Sequence, residues 1–367
     1  MNEKEYLYWL CSIDGVGAVT IRKIAETFGS LENAYNIEEK EWNAAGIVRR
    51  PLLRKIMDRK NHLQQMREEY HSLRDRGIQF ISAWEKGYPK KLKEIYNYPA
   101  ALFVKGAIPN DDMPSVAVIG ARNCSDYGRA IAHEFAEALA ESGVQIISGM
   151  AYGIDGAGHR GALKAGKGTY AVLGCGIDIC YPREHYELYT EIPKNGGLIS
   201  EYIPRLAPTA GHFPMRNRII SGLSDAVLVV EAAEKSGSLI TAELALEQGR
   251  EVFAVPGRIT DELSAGCNRL IQNGAGVVND PGDILDYLQI QHNKMLRVHE
   301  KNGKGLAKTE KMVYSCLDLQ PKSLEAVVAE SGISVGECMR ALYELEKKGY
   351  VTQAFGQYYE KKLQVRG

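Results

Sequence analysis

Seven short apolar segments between about Val116 and Asp280 constrain the fold of this chain more than any other feature. Amphipathic stretches with helical spacing separate them, for example at Ile131, Phe135 and Leu139. Continuous apolar strands that alternate with helices are typical of a sheet buried on both faces. We therefore predict an α/β fold with a doubly wound, mostly parallel sheet. The predicted strands lie within SVAVIG, VQIISG, TYAVLG, GGLISE, AVLVVEA, EVFAVPG and GVVND.

Composition divides the 367 residues into four regions, which suits a length at which two or three domains are expected. We place a helical domain at 1–110, the sheet at 111–290, a polar linker at 291–308 and a small domain at 309–367. No apolar run approaches the ~20 residues that a membrane helix needs. The N-terminus, MNEKEYLYWL, lacks the features of a secretory signal. We therefore expect a cytoplasmic protein with no membrane segment.

Bulk charge and cysteine content exclude several functional classes. The chain has 45 basic and 46 acidic residues, so a nucleic-acid partner would need a local basic patch. Its seven cysteines form no C-x-x-C pair, which argues against a zinc site or a disulfide framework. We expect neither a metal nor a cofactor.

The two flanking domains carry weaker signals. Near the N-terminus, Gly15-Val16-Gly17 joins two helical stretches in a pattern similar to a helix-hairpin-helix or SAM-like domain, whose backbone amides can bind a DNA phosphate. The alternative is a tight turn in a helical bundle. The last 60 or so residues resemble a winged helix, with a capping box at Ser334–Glu337 and a β-hairpin near the end. Its near charge balance favours protein interaction or weak DNA contact over duplex recognition.

Loops after the predicted strands are rich in Gly, Ser and Arg. Glycine lets a backbone approach a phosphate, and helix N-termini offer unpaired N–H donors to it. Ligands of open parallel sheets bind beyond the carboxyl ends of the strands. The pattern therefore predicts an anionic ligand longer than one phosphate. Its candidate contacts are Arg122, Arg183, the turn with Arg216 and Arg218, and the loop Ser236, Gly237 and Ser238.

Two of these assignments have a structural alternative, and one further motif is misleading. Arg216 and Arg218 could instead pair with Asp155, Glu201 or Asp178 across the strand ends. The segment 156–161, GAGHRG, fits G-x-G-x-x-G but does not follow the first strand of the sheet directly. We interpret its glycines as close helix packing.

Several of these segments occur together, in order, in one known family. They are GAR at 120–122, SGMAYGID at 148–155, GCGIDICYPR at 174–183, GGLISEY at 196–202, HFPMRNRIISGLS at 212–224, SGSLITAELALEQGR at 236–250 and VPG at 255–257. The chain resembles the DprA family of DNA-processing proteins, also called Smf. The resemblance implies an extended Rossmann-like core between a helical domain and a winged helix.

The resemblance also implies a function and its residues. Members bind single-stranded DNA without sequence preference, form homodimers and load the RecA recombinase onto DNA during natural transformation. By this analogy Arg122 and Arg183 contact the DNA backbone, Tyr186 stacks a base, and Gly153 lines the same pocket. The family's dimer contacts map onto Leu270, Ile271 and Val277.

Two other functions stay open at this point. The segment SGSLITAE is a partial match to a loop of nucleotide phosphoribohydrolases, in which Glu243 and Arg218 would cleave an N-glycosidic bond. We prefer a binding protein without catalysis, with Glu243 capping or bracing its helix. A regulator acting through its winged helix is a further alternative.

Overall fold

The structure, a computed structural model, describes residues 2–291, 306–318 and 321–361. Two compact units are formed, one mostly from the residues up to 291 and the other mostly from those after 305. Within the described residues no helix is both long and apolar enough to cross a membrane.

A nine-stranded sheet forms the centre of the first unit. The prediction of a doubly wound, mostly parallel sheet is confirmed: the order is β1-β2-β6-β5-β4-β3-β7-β8-β9, and every pairing from β6 to β9 is parallel. The strands are β1 (Gln79–Ser82), β2 (Ala101–Gly106), β3 (Ser115–Ile119), β4 (Gln145–Ser148), β5 (Thr169–Leu173), β6 (Gly197–Ser200), β7 (Ala226–Val229), β8 (Glu251–Ala254) and β9 (Gly276–Val277).

The winding direction changes between β3 and β7. From β3 the chain proceeds through β4 and β5 to β6 on one side, then returns to β7 and continues to β9 on the other. Connections leave the two central strands in opposite directions at such a point, so a crevice opens at their carboxyl ends. This edge of the sheet is therefore the expected ligand site.

One predicted boundary is corrected by the sheet. Strands β1 and β2 precede residue 110, yet β2 pairs with β1 and β6, antiparallel to both. An antiparallel strand added to a parallel sheet is common. A boundary at residue 110 would therefore divide a single sheet. The sequence does not show this, because an apolar run does not reveal which distant strand it will pair with.

Helices cover both faces of the sheet. On one face the N-terminal helices share a core with it, in which Trp9 and Trp42 are fully buried and Phe103 and Leu198 come from the strands. The helices up to residue 291 are α1 (Glu3–Cys11), α2 (Ala18–Phe28), α3 (Leu31–Asn36), α4 (Glu39–Ala45), α5 (Arg50–Lys60), α6 (Leu63–Asp75), α7 (Lys90–Lys93), α8 (Asp126–Glu141), α9 (Ile154–Lys164), α10 (Tyr186–Asn195), α11 (His212–Gly222), α12 (Gly237–Glu247), α13 (Glu262–Gln272) and α14 (Pro281–Tyr287).

The Gly15-Val16-Gly17 segment does join two helices. Gly15 has φ +91°, a conformation that favours glycine, and Gly17 caps α2. Asp14 in the same turn forms an ion pair with Lys55 of α5, at 2.6 Å. A DNA contact at this turn stays a prediction.

The second unit is a winged helix, as predicted. Its linker falls largely outside the described residues, since 292–305 are not described. Leu306 already packs in the core of this unit, so the domain begins slightly before the predicted residue 309. Its elements are α15 (Lys308–Ser315), β10 (Lys322–Ser323), α16 (Leu324–Ser331), α17 (Val335–Lys347), β11 (Val351–Phe355) and β12 (Tyr358–Lys361).

The glycines of GAGHRG lie inside α9 and serve close packing, as interpreted from the sequence. A Cβ at Gly156 would lie 2.6 Å from the His185 ring, and one at Gly161 would lie 2.2 Å from the carbonyl oxygen of His133 in α8. Neither position tolerates a side chain. The helix therefore approaches its neighbours at distances that only glycine permits.

The substitution Gly161→Ala tests this packing through the sign of its effect on the free energy of unfolding. Ala in place of Gly inside a helix normally stabilises by roughly 0.5–1 kcal/mol. Here the added methyl would overlap backbone atoms, so we expect a loss of about 1–3 kcal/mol in the free energy of unfolding by urea.

Gly237→Ala is the matched control, because a Cβ there meets no atom within 4 Å. It should leave the free energy of unfolding unchanged or raise it by less than about 1 kcal/mol. Equal effects of the two substitutions would contradict the packing role of Gly161.

Candidate nucleic-acid interface

A small pocket opens at the carboxyl ends of β3, β4 and β5. Its volume is about 100 Å³, and it combines two arginines with aromatic rings and glycine backbone. It lies at the edge of the sheet at which ligands of doubly wound folds bind. The residues that line it are Arg122, Gly149, Ala151, Tyr152, Gly174, Cys175, Tyr181, Pro182, Phe213 and Arg216.

Arg216 is buried beneath this pocket. Its side chain, 3% exposed, donates hydrogen bonds from Nη1 to the carbonyl oxygens of Gly149, at 2.7 Å, and Val172. Burial lowers the pKa of its guanidinium to about 10, which still leaves it charged at neutral pH. Asp155 is its opposing charge, and burial raises the pKa of that carboxyl although Arg216 and two backbone N–H groups act against the increase.

Gly149 separates these two charged groups. A Cβ at this position would lie 2.7 Å from both Arg216 Nη atoms and 2.7 Å from Asp155 Oδ2. The Asp155 carboxylate also accepts hydrogen bonds from the backbone N–H groups of Gly149 and Ala151, at 3.1 and 3.2 Å. The loop after β4 is thus fixed around a buried pair of opposite charges.

The structure places Arg218 away from solvent and outside the pocket, where its predicted DNA contact has no exposed donor. Arg218 is 4% exposed, and all three guanidinium nitrogens are bonded: Nη2 to Glu201 at 2.6 Å, Nη1 to the Met215 carbonyl and Nε to the Asn97 carbonyl. The structural alternative, pairing with Glu201, is the one observed. Arg216 is likewise not a surface contact, because its Nη1 is bonded to carbonyls and only the pocket reaches it.

Arg122 is the exposed arginine of the pocket. It follows β3, and its guanidinium carbon lies 5.3 Å from the centre of the Phe213 ring, an attractive cation–π arrangement. Gly153 supports this loop rather than lining the pocket. A Cβ there would come within 2.3 Å of the Ala121 carbonyl oxygen and 2.5 Å of that of Arg122, and its φ of +71° also favours glycine.

Tyr181 is one of two exposed aromatic residues that line the pocket, the other being Tyr152. Tyr181 stacks on Phe213 with centroids 5.6 Å apart and planes at 30°, and it is 43% exposed. Phe213 itself is half-buried, because it packs against Gly174 as well as against Tyr181 and Arg122. Of this stacked pair, Tyr181 can stack a base.

Arg183 and Tyr186 lie just outside the pocket. Arg183 begins a short 3-10 helix, and Tyr186, 65% exposed, starts α10 and stacks on Tyr189. Glu184 between them accepts a hydrogen bond of 2.5 Å from Tyr152 Oη. This bond connects the loop after β4 to the turn after β5, so it lies beside the pocket that both segments line.

The Ser236-Gly237-Ser238 segment follows β7 at the same edge of the sheet. Ser236 is the N-cap of α12, with its Oγ 3.4 Å from the backbone nitrogen of Ser238. None of the three lines the pocket. Glu243 lies further along α12 and is exposed, while Arg218, its supposed catalytic partner, is fully bonded elsewhere. The structure therefore does not assemble the hydrolase pair.

The residues predicted at a dimer interface lie at the far end of the sheet. Val277 is in β9, the outermost described strand, and is 44% exposed. Leu270 and Ile271 are half-buried near the end of α13, against the core of this face.

Of the ten lining residues, Arg122 and Arg216 were among the predicted contacts, whereas Tyr152 and Cys175 were not. The signal for them was their position directly after β4 and β5. Burial raises the pKa of the Cys175 thiol to about 11, so it is not a thiolate nucleophile at neutral pH. In the part of the chain that the structure describes, no cluster of His, Cys, Asp or Glu could hold a metal ion.

Comparison with known families agrees with this architecture. The family described as DNA recombination-mediator protein A matches residues 79–289, and the DprA winged helix domain matches residues 299–357. The chain belongs to the DNA recombination-mediator protein A family. Its match begins at β1, which agrees with the corrected boundary of the sheet. The resemblance to the DprA (Smf) family is thereby confirmed.

One relative extends over nearly the whole chain and another over about half of it. Protein Smf of Synechocystis sp. is 32% identical over 99% of this chain and 100% of its own length. The DNA processing protein DprA of Streptococcus pneumoniae is 47% identical over 54% of this chain and 70% of its own length.

Two solved structures share the fold. The X-ray structure of Streptococcus pneumoniae DprA superposes with a TM-score of 0.68 at 36% identity, covering 80% of this chain and all of that chain. A Helicobacter pylori DprA structure, described as showing a single-stranded DNA binding mode, gives 0.52 at 30% identity over 57% of this chain and 96% of that one.

Neutralising Arg216 should affect stability far more than neutralising Arg122. Arg216→Met leaves the buried Asp155 carboxylate without its partner, so we expect a loss of about 3–5 kcal/mol in the free energy of unfolding. Arg122→Met removes an exposed charge and should change the free energy of unfolding by less than about 1 kcal/mol. Urea unfolding measures both. Similar losses in the two variants would contradict the structural role of Arg216.

Proposed function

We propose that this protein binds single-stranded DNA without sequence preference, with a backbone phosphate at Arg122. The observation that carries the proposal is the position of Arg122, exposed at the pocket mouth and held against Phe213, with the Arg216 charge below. Charge-assisted bonds from arginine to phosphate are among the strongest polar contacts. Family membership and the Helicobacter pylori relative's described binding mode support the same function.

A strand suits the surroundings better than a single nucleotide does. The pocket has a volume of about 100 Å³, so a ligand small enough to fill it would not contact the exposed groups outside it. Arg183 and Tyr186 continue the exposed surface along the turn that also carries Tyr181. Binding without sequence preference requires such a combination of cations with stacking rings, because every base has a π-face.

Fluorescence anisotropy with labelled oligo-dT tests this proposal. Arg122→Ala and Arg183→Ala should each weaken binding by about tenfold or more, equivalent to 1.4 kcal/mol. Each should also reduce the slope of log K against log salt by about 0.7 for one lost phosphate contact. Tyr181→Ala should weaken binding with little change in that slope, because stacking releases no counterion.

Lys167→Ala is the charge-matched control. Lys167 is exposed just before β5 and hence at the opposite edge of the sheet. Its removal should leave both affinity and salt slope unchanged. The proposal fails if AMP displaces oligo-dT, or if Lys167→Ala weakens binding as much as Arg122→Ala does. Release of free base from AMP would instead favour the hydrolase alternative.

We further propose that two copies pair through the β9 edge, with Val277, Leu270 and Ile271 in contact. We also propose that this dimer protects incoming DNA and delivers it to RecA in natural transformation. The family resemblance supports this assembly and this partner. An edge strand with unpaired backbone groups and an exposed valine is a suitable pairing surface. Seven free cysteines fit a reducing compartment, so we place this activity in the cytoplasm.

Val277→Lys tests the dimer by sedimentation equilibrium. A charge buried between two copies should shift the protein to monomer, whereas Met113→Lys, at an exposed site just before β3, should not. An unchanged mass for Val277→Lys would rule out this interface. Delivery to RecA is measured separately, by RecA ATPase activity on DNA coated with a single-strand-binding protein. No stimulation by the wild type would rule out that step.

A further inference from the structure

The turn after β5, which carries Tyr181 and Arg183, is bonded to the helical region through an acidic side chain. Asp178 lies in this turn, and its side chain is 17% exposed. Its Oδ2 forms an ion pair with Nη2 of Arg76, the C-cap residue of α6. Helix α6 is the last helix before β1. The cation that pairs with Asp178 therefore comes from the helical region and not from α11.

Asp178 also fixes the loop that follows β6. Its Oδ1 accepts a hydrogen bond of 2.7 Å from the backbone N–H of Arg205. Arg205 has φ +66°, a conformation that is costly for a residue other than glycine and persists only where its surroundings hold it. A Cβ at Gly176 would lie 2.7 Å from the carbonyl oxygen of Ile203, so the turn and this loop are in direct contact. One carboxylate thus joins α6, the turn after β5 and the loop after β6.

Tyr181 and Arg183 lie between two points at which the turn is attached to the rest of the chain. At one of them Asp178 is bonded to α6, and at the other Glu184 accepts a hydrogen bond from the hydroxyl of Tyr152. A side chain binds a ligand more tightly when its position is fixed beforehand, because less conformational entropy is lost on binding. Release of the turn at Asp178 would therefore weaken whatever the ring and the guanidinium bind.

We propose that Arg76 is a positioning residue for single-stranded DNA, which acts through Asp178 to hold the turn that carries Tyr181 and Arg183. This role rests on the DNA binding proposed above. Arg76 does not line the pocket, and its Nη2 is bonded to the carboxylate. Arg76 thereby couples the helical region to a DNA site that it does not itself contact.

Oligo-dT anisotropy across a salt series tests this role in variants of the ion pair. Arg76→Met and Asp178→Asn should each weaken binding by about tenfold, because two side chains of the site lose their fixed positions. The slope of log K against log salt should stay unchanged, because no phosphate contact is lost. The double variant should bind no more weakly than either single variant, since both substitutions remove the same pair.

Asp178→Asn also keeps the test valid if Arg76→Met fails to fold. Asn has the shape of Asp and still offers an oxygen to the Arg205 N–H, so this substitution removes the ion pair alone.

A direct phosphate contact of Arg76 predicts a different pattern. Asp178→Asn would then free the guanidinium and strengthen binding, and Arg76→Met would reduce the salt slope by about 0.7. Either result would overturn the positioning role.

Arg74→Met is the matched control, since Arg74 is an exposed arginine in the last turn of the same helix. It should leave affinity and salt slope unchanged. Hydrogen exchange distinguishes positioning from a general loss of stability: in Arg76→Met the amides of 175–185 should exchange faster, while those of β3 and β4 keep the wild-type rate. Unchanged exchange in 175–185, or an equal loss of affinity in Arg74→Met, would overturn the positioning role.

The positioning role and the proposed DNA binding fail in different ways. A wild type that binds oligo-dT and depends on Arg122 but not on Arg76 would exclude the positioning role alone. A wild type that does not bind oligo-dT would exclude both.

Discussion

The site depends on one buried guanidinium. Arg216 reaches from α11 to the carbonyl oxygens of Gly149 after β4 and Val172 in β5, so it holds three separate segments together beneath the pocket. Its charge is opposed by Asp155 across a position that has no room for a side chain. Burying a charged group is expensive unless it is paired and hydrogen-bonded. The loops around it are consequently constrained to the one arrangement in which those bonds are made.

The exposed half of the site depends on this buried half. Phe213 lies one turn before Arg216 on α11, so the bonds of Arg216 also fix the position of that ring. Phe213 in turn supports the guanidinium of Arg122 on one side and the ring of Tyr181 on another. One arginine thus has a structural role and the other is available to a ligand. A chain with a net charge of −1 can in this way present a local positive centre.

The sequence predicts the sheet better than the site. Runs such as AVLVVEA predict buried parallel strands because both faces of these strands are covered, and the structure confirms this. The run HFPMRNRII does not reveal whether its arginines face solvent, because their partners are distant in the chain: Gly149 lies 67 residues before Arg216 and Glu201 lies 17 before Arg218. Arg122 is exposed at a strand end, as expected from its glycine-rich loop. The pairing of β2 with β6 could not be predicted, since a short apolar strand has many possible neighbours.

This pairing affects how the protein can be divided. A fragment that starts after residue 110 would lack β1 and β2, so the backbone N–H and C=O groups of β6 that pair with β2 would become an open sheet edge. It would also lose the N-terminal helices that cover Leu198 and neighbouring side chains of that face. An open edge beside an uncovered apolar surface is a template for aggregation. Insolubility of such a fragment would therefore result from the loss of β1 and β2 from the sheet. It would reveal nothing about the role of the helical region in binding.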